Sequence, residues 1–249
     1  MPVPNPTAMR PQATLTMEAA YKNINYLFLA ILVFAGLGFF KTYFGLFPHF
    51  HGLPTVAHFH AIGFLLWFAL LLVQPLLIRY DQLPLHRRLG KFSYFLVPYI
   101  ALTVFGMARA AYQSKGSSWL LGVYPPSLFF AVLGLGNFLL FYGLAIIYKQ
   151  NRAYHMRYLI ATSLALIEPS LGRFFHLWLR LGPVGGILTL LIVYAIIIGL
   201  MVYDKVKFGR VHKAYYVVLG VTVLIDIAVP TIPRTQLWQA IALKIGSYL

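Results

Sequence analysis

The sequence predicts an all-α protein, a polytopic transmembrane bundle of about seven helices, and three observations lead to this fold class. Long apolar runs recur along the 249 residues, of which 60% are hydrophobic and only 10% charged, against roughly 25% charged in a soluble globule. The mean hydropathy is +0.77. The bases lie in short clusters between the apolar runs, so the net charge of +15 indicates membrane topology and excludes nucleic acid as the partner.

Three segments follow from the positions of these runs. Residues 1–23 form a polar N-terminal tail that lacks the basic start and apolar stretch of a cleavable signal peptide. Residues 24–232 contain the seven-helix domain, because a crossing needs about 20 mostly apolar residues. Residues 233–249 are too short and polar to cross and form an interfacial segment, with Trp238 as an anchor. The predicted spans are Ile24–Phe47, Val56–Ile78, Ser93–Tyr112, Ser127–Tyr148, Tyr158–Leu179, Val184–Tyr203 and Ala214–Ile232.

The distribution of bases between the spans predicts the orientation. Eleven bases follow spans two, four and six, whereas the alternate loops contain Lys115 and Arg180. By the positive-inside rule, the amino terminus lies inside and the carboxyl terminus outside. The eleven bases are Arg79, Arg87, Arg88, Lys91, Lys149, Arg152, Arg157, Lys205, Lys207, Arg210 and Lys213.

A histidine beside a base recurs where the odd-numbered spans three, five and seven enter from the inner face. The three sequences are Leu-His-Arg-Arg-Leu-Gly (85–90), Tyr-His-Met-Arg-Tyr (154–158) and Val-His-Lys-Ala-Tyr (211–215). They are either the relic of a duplicated two-helix unit or similar solutions to anchoring at the headgroup level.

Four of the eight histidines fall within twelve positions near the outer end of span two, namely His49, His51, His58 and His60. Neutral imidazole is a common ligand of transition metals and of haem iron. His49 and His51 can share one metal if their loop is extended, whereas His58 and His60 are about 200° apart on a helix. The alternative is that these residues belong to the interfacial aromatic belt.

One face of span two carries a stripe of residues suited to a pocket. His60, Trp67 and Gln74 recur every seven residues and so lie almost in line. This stripe is a candidate lining for a cavity or a cofactor. In the alternative interpretation, Gln74 forms an interhelical hydrogen bond.

Ionisable residues within spans indicate function by default, because they are costly in hydrocarbon. Span five brings Glu168, Arg173 and His176 towards the outer side, where Arg109 ends span three. Glu168 is a candidate metal ligand or proton acceptor, and the two arginines are candidate clamps for an anion or carboxylate. Ion pairing within the bundle, including Asp226 of span seven, is the structural alternative.

A bis-histidine haem needs two imidazoles at the same depth. His60 with His176 meets this condition at the outer side, and His86 with His155 or His212 at the inner side. His155 and His176 are 21 residues apart, about 31 Å along a helix. An outer b-type haem or a transition metal ion is therefore the suspected cofactor, and a chain of two haems is disfavoured.

A set of motifs recurs along the middle of the chain: His58-x-His60, Trp67, Gln74 and Leu85-His-Arg-Arg-Leu-Gly90, then His155-x-Arg157 and Arg173. This set resembles the pattern of a family of uncharacterised bacterial multi-pass membrane proteins. The likeness covers roughly residues 56–175. It implies a multi-helix bacterial membrane protein with a histidine-lined pocket. A shorter likeness to membrane cytochrome b anchors is confined to the His-Arg entry of span three.

The leading hypothesis is a membrane protein with a metal or haem site near the outer leaflet, and an oxidoreductase activity is one candidate. His58, His60 and His176, with His49 and His51, are the candidate ligands. A proton-coupled transporter or permease is the second hypothesis, because acids within spans often mark ion paths. The third is a structural subunit of a larger membrane complex, whose polar residues face other membrane subunits.

Overall fold

The computed structural model describes residues 21–123 and 127–249, and every regular element in these ranges is a helix. Most of the predicted polar tail lies outside the described residues. The described α-helices are α1 (Ile24–Phe40), α2 (Thr55–Arg79), α3 (Leu83–Lys115), α4 (Ser117–Leu120), α5 (Leu128–Ile147), α6 (Arg152–Leu164), α7 (Ile167–Leu177), α8 (Pro183–Phe208), α9 (Lys213–Thr231) and α10 (Gln236–Gly246).

Five of the described helices, α2, α3, α5, α8 and α9, are long and apolar enough to cross a membrane. The helix α1 is also apolar but has 17 residues. Large apolar side chains on the outward faces, such as Phe95, Leu102 and Ile147, are 77%, 71% and 74% exposed. Surfaces of this kind suit hydrocarbon rather than water. The all-α prediction is confirmed, and the apolar helices fit a lipid bilayer.

The helix bounds agree best with the predicted spans at the starts of α5, α8 and α9. The predicted fourth span begins at Ser127, whose hydroxyl accepts from the backbone of Phe130 as an N-cap of α5. In contrast, α3 begins ten residues before the predicted third span and has 33 residues, about 50 Å at 1.5 Å per residue. The motif at 85–90 is therefore helical.

The predicted fifth span is divided into α6 and α7, so the prediction of one continuous helix is wrong. Ala165 and Leu166 form a turn between them. The physical reason is Pro169, which lacks an N–H and whose ring excludes the carbonyl four residues earlier, at Ala165. The division places Glu168 in the first turn of α7.

Close packing at small residues joins the helices. A Cβ at Gly38 of α1 would overlap the backbone oxygen of Ser170 in α7. One large core, which includes Trp67, Ile100, Phe138 and Tyr215, extends through the bundle. Because lipid tails are as apolar as the side chains, such close contacts rather than hydrophobic burial favour helix association in a bilayer.

The C-terminal segment packs against the rest of the protein. Trp238 of α10 is 8% exposed and packs edge-to-face on Phe129, with ring centroids 4.7 Å apart. A second apolar cluster is formed here with Trp119 and Leu120 of α4. Trp238 therefore contributes to a protein core rather than to an exposed anchor.

Candidate functional site

A buried ion pair lies at the end of the bundle where α6 begins and α8 ends. Arg157 donates from Nε to Oδ2 of Asp204 at 2.9 Å and from Nη2 to Oδ1 at 2.7 Å. The side chains of Arg157 and Asp204 are 1% and 0% exposed. Between described residues this is the one salt bridge. A planar guanidinium and a carboxylate are matched for such bidentate contact.

Two tyrosines and a backbone amide also belong to this network. Tyr21, just before α1, donates its hydroxyl to Asp204 Oδ1 at 2.6 Å, so the hydroxyl of Tyr215, 2.8 Å away, donates to Tyr21. The backbone N–H of His212 donates to Asp204 Oδ2 at 3.2 Å. Burial first, and then Tyr215 and the hydrogen bond to Asp204, raise the pKa of Tyr21 against the opposite effect of Arg157, so the proton of Tyr21 is retained. The network joins the N-terminal segment, α6, α8 and α9.

Sequence reasoning missed Asp204 and Tyr21. Asp204 is one residue beyond the predicted end of span six and was grouped with no site, while Arg157 was counted among the inner bases. The other ten of those bases are exposed, and Arg157 is the exception. A signal was present, because Asp204 is one of only five acids in the chain and lies in a basic segment.

The inner histidines are held by backbone groups. His212 caps α9, with its Nδ1 accepting from the backbone N–H of Ala214 at 3.2 Å. Burial first and then the charge of Arg157 lower the pKa of His212, against the opposite effect of Asp204. His155 contacts the carbonyl of Ala145 at 2.7 Å through Nδ1, and burial lowers the pKa of His155. Both rings are therefore neutral at pH 7. A neutral imidazole can accept a hydrogen bond, as His212 does, or donate one to a carbonyl, as the contact of His155 requires.

A second polar site lies at the division between α6 and α7. Glu168 lines a small cavity with Asn137, Thr222 and the turn residue Ala165. The water-accessible space is about 10 Å³, which is room for one water molecule. The side-chain oxygen of Asn137 is buried and has no hydrogen-bond partner in the protein. Apolar side chains from α5, α6, α8 and α9 also line this cavity.

The acid of span seven is held by a tyrosine of α8. Asp226 accepts a hydrogen bond of 2.6 Å from the hydroxyl of Tyr194. A hydrogen bond donated by a hydroxyl to a carboxylate stabilises the charged form of the acid.

The predicted ion pairs in the outer half are not formed among the described residues. Arg173 donates through Nη1 to the carbonyl of Pro169 at 2.7 Å and lies over the ring of Phe39 at 4.5 Å. Arg109 lies on an exposed face of α3. Neither arginine forms a salt bridge with Glu168 or Asp226 within the described ranges.

The outer histidines have separate environments. His58 contacts the hydroxyl of Tyr43 at 2.9 Å through Nδ1, whereas Nδ1 of His60 contacts Thr103 at 3.2 Å. The rings of His49 and His51 are stacked and exposed, with centroids 5.5 Å apart.

His176, the remaining predicted ligand, is exposed near the end of α7. Across the part of the chain that the structure describes, no three His, Cys, Asp or Glu residues could hold a metal ion. The predicted metal ligands are thus not brought together.

The predicted stripe on α2 does not line the cavity beside Glu168. Trp67 is 2% exposed and packs edge-to-face on Phe138 and Tyr142. Its Nε1 and both side-chain polar atoms of Gln74 are buried without a partner in the protein. The interhelical hydrogen bond expected of Gln74 is therefore not formed within the described residues.

Comparison of the chain with family models, curated proteins and solved structures finds no match. The function is therefore argued from the geometry of the two polar sites.

Proposed function

We propose that this protein is a proton-coupled transporter of the bacterial inner membrane, in which Glu168 takes up and releases the transported proton. The observation that carries the proposal is the acid at a divided helix, facing a cavity of about 10 Å³ among apolar walls. Discontinuous helices with ionisable groups at the break are typical of substrate and ion sites in transporters.

The local surroundings support both protonation states of Glu168. The carboxyl lies in the first turn of α7, where the N-terminal end of the helix dipole stabilises an anion. The apolar walls of the cavity stabilise the neutral acid. A group that is stabilised in both forms is suited to exchange a proton, and the cavity admits one water molecule as its donor or acceptor.

The proposal includes seven crossings, with the amino terminus inside and the carboxyl terminus outside. In this topology α1 and the pair α6–α7 each form a crossing, in addition to the five long apolar helices. The contacts support this arrangement, because Tyr21, Arg157 and Asp204 lie in segments assigned to the inner face and meet in one network. Bacterial origin rests on the resemblance of the motifs.

The metal or haem hypothesis has weaker support. His60, the best-placed ligand in the sequence, contacts Thr103 through Nδ1, and no three potential ligand side chains among the described residues could hold a metal ion. Metal analysis and an optical spectrum of the purified protein test this alternative, because a stoichiometric metal or a haem Soret band would establish it.

Proton entry into liposomes tests the proposed function. The reconstituted protein is sealed with a pH-sensitive dye inside, and a potassium diffusion potential, negative inside, is applied. We expect the wild-type protein to acidify the lumen, and Glu168→Gln to reduce the protein-dependent rate roughly a hundredfold, as for loss of a proton-transferring group. Proton entry that is equal in the wild type and Glu168→Gln would refute the proposal.

Asp81→Asn is the matched control, since it also neutralises an acid. Asp81 is exposed and lies at φ 57°, a conformation that asparagine tolerates well. This variant should keep the wild-type rate. A protein that folds in all three forms but never exceeds protein-free liposomes would favour a structural subunit instead.

A further inference from the structure

We infer that a groove between α1 and the second half of α8 binds an anionic phospholipid such as phosphatidylglycerol. One acyl chain lies in the groove, and the phosphate lies at its inner end. The inference concerns the lipid partner of the protein and goes beyond the proposed transport. It rests on the topology proposed above, in which α1 begins and α8 ends at the inner face of the membrane.

The groove has the dimensions of a ligand site. Its volume is about 450 Å³, and ligand pockets commonly have volumes of about 300–1,000 Å³. Apolar side chains from both helices form its walls, namely Ile24, Leu27, Ile196 and Leu200. Because the groove is open rather than enclosed, a lipid chain can enter it from the bilayer.

The wall contributed by α8 is suited to an extended chain. Four residues at helical spacing line it, and they are Ile196, Gly199, Leu200 and Tyr203. They span about 10 Å at 1.5 Å per residue, which is about two thirds of one leaflet of a hydrocarbon core about 30 Å thick. A Cβ at Gly199 would meet no described atom within 4 Å. Gly199 therefore leaves open space in this wall, where methylene groups can pack.

Two tyrosines close the inner end of the groove. The rings of Tyr21 and Tyr203 pack edge-to-face with centroids 5.8 Å apart, and both residues line the groove. The hydroxyl of Tyr21 donates to Asp204, whose charge is balanced by Arg157. The acid next to the groove is therefore neutralised and does not repel a phosphate.

The start of α1 makes this end of the groove positive. Asn23 and Ile24 line the groove, and they are the N-cap and the first residue of α1. The side chain of Asn23 forms no capping bond, and the first turn of α1 contains no acid. The positive end of the helix dipole therefore lies at the groove and favours an anion there.

Two lysines add positive charge to the same end. Lys22 is exposed and lies in the chain between Tyr21 and Asn23, which both line the groove. Lys207 is exposed one turn beyond Tyr203, on the same face of α8. Basic pockets between helices at the cytoplasmic side are typical sites for anionic lipid headgroups. The apolar walls and the positive end together match an acyl chain that is joined to a phosphate.

Native mass spectrometry of the protein in detergent micelles, titrated with phosphatidylglycerol, tests the inference. Phosphatidylcholine with the same chains is the matched probe without net charge. We expect it to bind roughly ten- to thirtyfold more weakly, because each of the two lysines strengthens the binding of an anionic headgroup about fivefold. The chainless sn-glycerol 3-phosphate should not bind measurably. Equal affinities for the two phospholipids, or for phosphatidylglycerol and glycerol phosphate, would overturn the inference.

Filling the groove tests the position of the acyl chain. Gly199→Leu places a side chain in the open space and should weaken the binding of both phospholipids roughly five- to thirtyfold, the effect of losing about ten van der Waals contacts. Gly220→Leu is the control, because Gly220 is an exposed glycine of α9 that also has open space around its Cβ and does not line the groove. Equal affinities in these two variants would contradict the inference.

The lysine variants test the position of the phosphate without altering the walls. Lys22→Gln and Lys207→Gln should each weaken phosphatidylglycerol binding about fivefold and leave phosphatidylcholine binding unchanged. Lys205→Gln is the control, since Lys205 is also exposed but lies about 200° around α8 from Tyr203. An equal loss in Lys205→Gln and Lys207→Gln would show general attraction to the basic surface and contradict the inference.

The same spectra distinguish a lipid from a second copy of the chain. We expect the wild-type protein to carry phosphatidylglycerol as a monomer. A dimer that dissociates in Gly199→Leu but persists in Gly220→Leu would place a second copy in the groove and overturn the inference.

Discussion

Neutralising Asp204 tests the buried network most directly. Asp204→Asn keeps the size of the side chain but removes the charge that pairs with Arg157, which is 1% exposed. The carboxylate accepts two hydrogen bonds from Arg157, one from Tyr21 and one from the backbone of His212. An amide in its place turns one acceptor into a donor that faces other donors.

The magnitude follows from the burial of both partners. Removing one member of a buried ion pair costs about 3–5 kcal/mol, because the other charge stays buried after losing that partner. At an exposed pair the same change would cost about 1 kcal/mol or less. We therefore expect Asp204→Asn to lower the free energy of unfolding by about 3–5 kcal/mol. The double variant Arg157→Gln/Asp204→Asn should recover part of this loss, since it buries no charge.

The free energy of unfolding is measured by circular dichroism as a denaturing detergent replaces a mild one in the micelles. Lys205→Gln, at the exposed neighbouring position, is the control and should change stability by about 0.5 kcal/mol or less. A loss below about 1 kcal/mol in Asp204→Asn, the value of an exposed pair, would refute the buried ion pair. Double-variant energies that simply add would refute the coupling between the two residues.

Two further predictions concern helix packing and pH. Gly38→Ala should destabilise the protein by about 1–3 kcal/mol, because the added methyl overlaps the backbone oxygen of Ser170. Gly36→Ala is the control and should not destabilise the protein, since a Cβ at Gly36 has open space around it. Equal free energies of unfolding in the two variants would contradict the close contact. The pKa values of His212 and His155 are lowered by folding, so both residues favour the folded state while they are neutral. Their contribution to the free energy of unfolding is therefore full above about pH 6.5, the ordinary histidine pKa. It is lost as the pH falls towards the lower pKa values of the folded protein. Thermal melting between pH 7.5 and 5 measures this loss. His212→Asn should reduce it, because asparagine keeps the helix cap without titrating. An unchanged dependence of the melting temperature on pH in that variant would show that His212 does not contribute.

Much of the helical architecture follows from local properties of the sequence. The spans beginning at Ser127, Val184 and Ala214 were predicted within a residue of the starts of α5, α8 and α9, since apolar runs and their flanking caps are local signals. The long start of α3 was missed, because the polar motif at 85–90 resembles a loop by hydropathy but is compatible with a helix. The division of span five had a local signal in Pro169, which hydropathy alone does not detect.

The candidate sites were predicted less completely. Glu168 was identified as an unusual acid, and the structure adds the cavity that it lines with Asn137. The metal ligands were chosen because His58, His60 and His176 share a side of the bundle. The depth of a residue in the membrane and its side of the bundle do not determine where its side chain points. The three histidine rings have different surroundings in the structure.

The sequence by itself determined that this is a helical membrane protein, because transfer into hydrocarbon depends on the composition of each segment and hardly on its partners. Only the tertiary structure decided which charges are paired. Tyr21 and Asp204 are 183 residues apart, and Arg157 and Asp204 are 47 apart. Hydrogen bonds act over about 3 Å, so such partners are defined only when the helices have packed against one another.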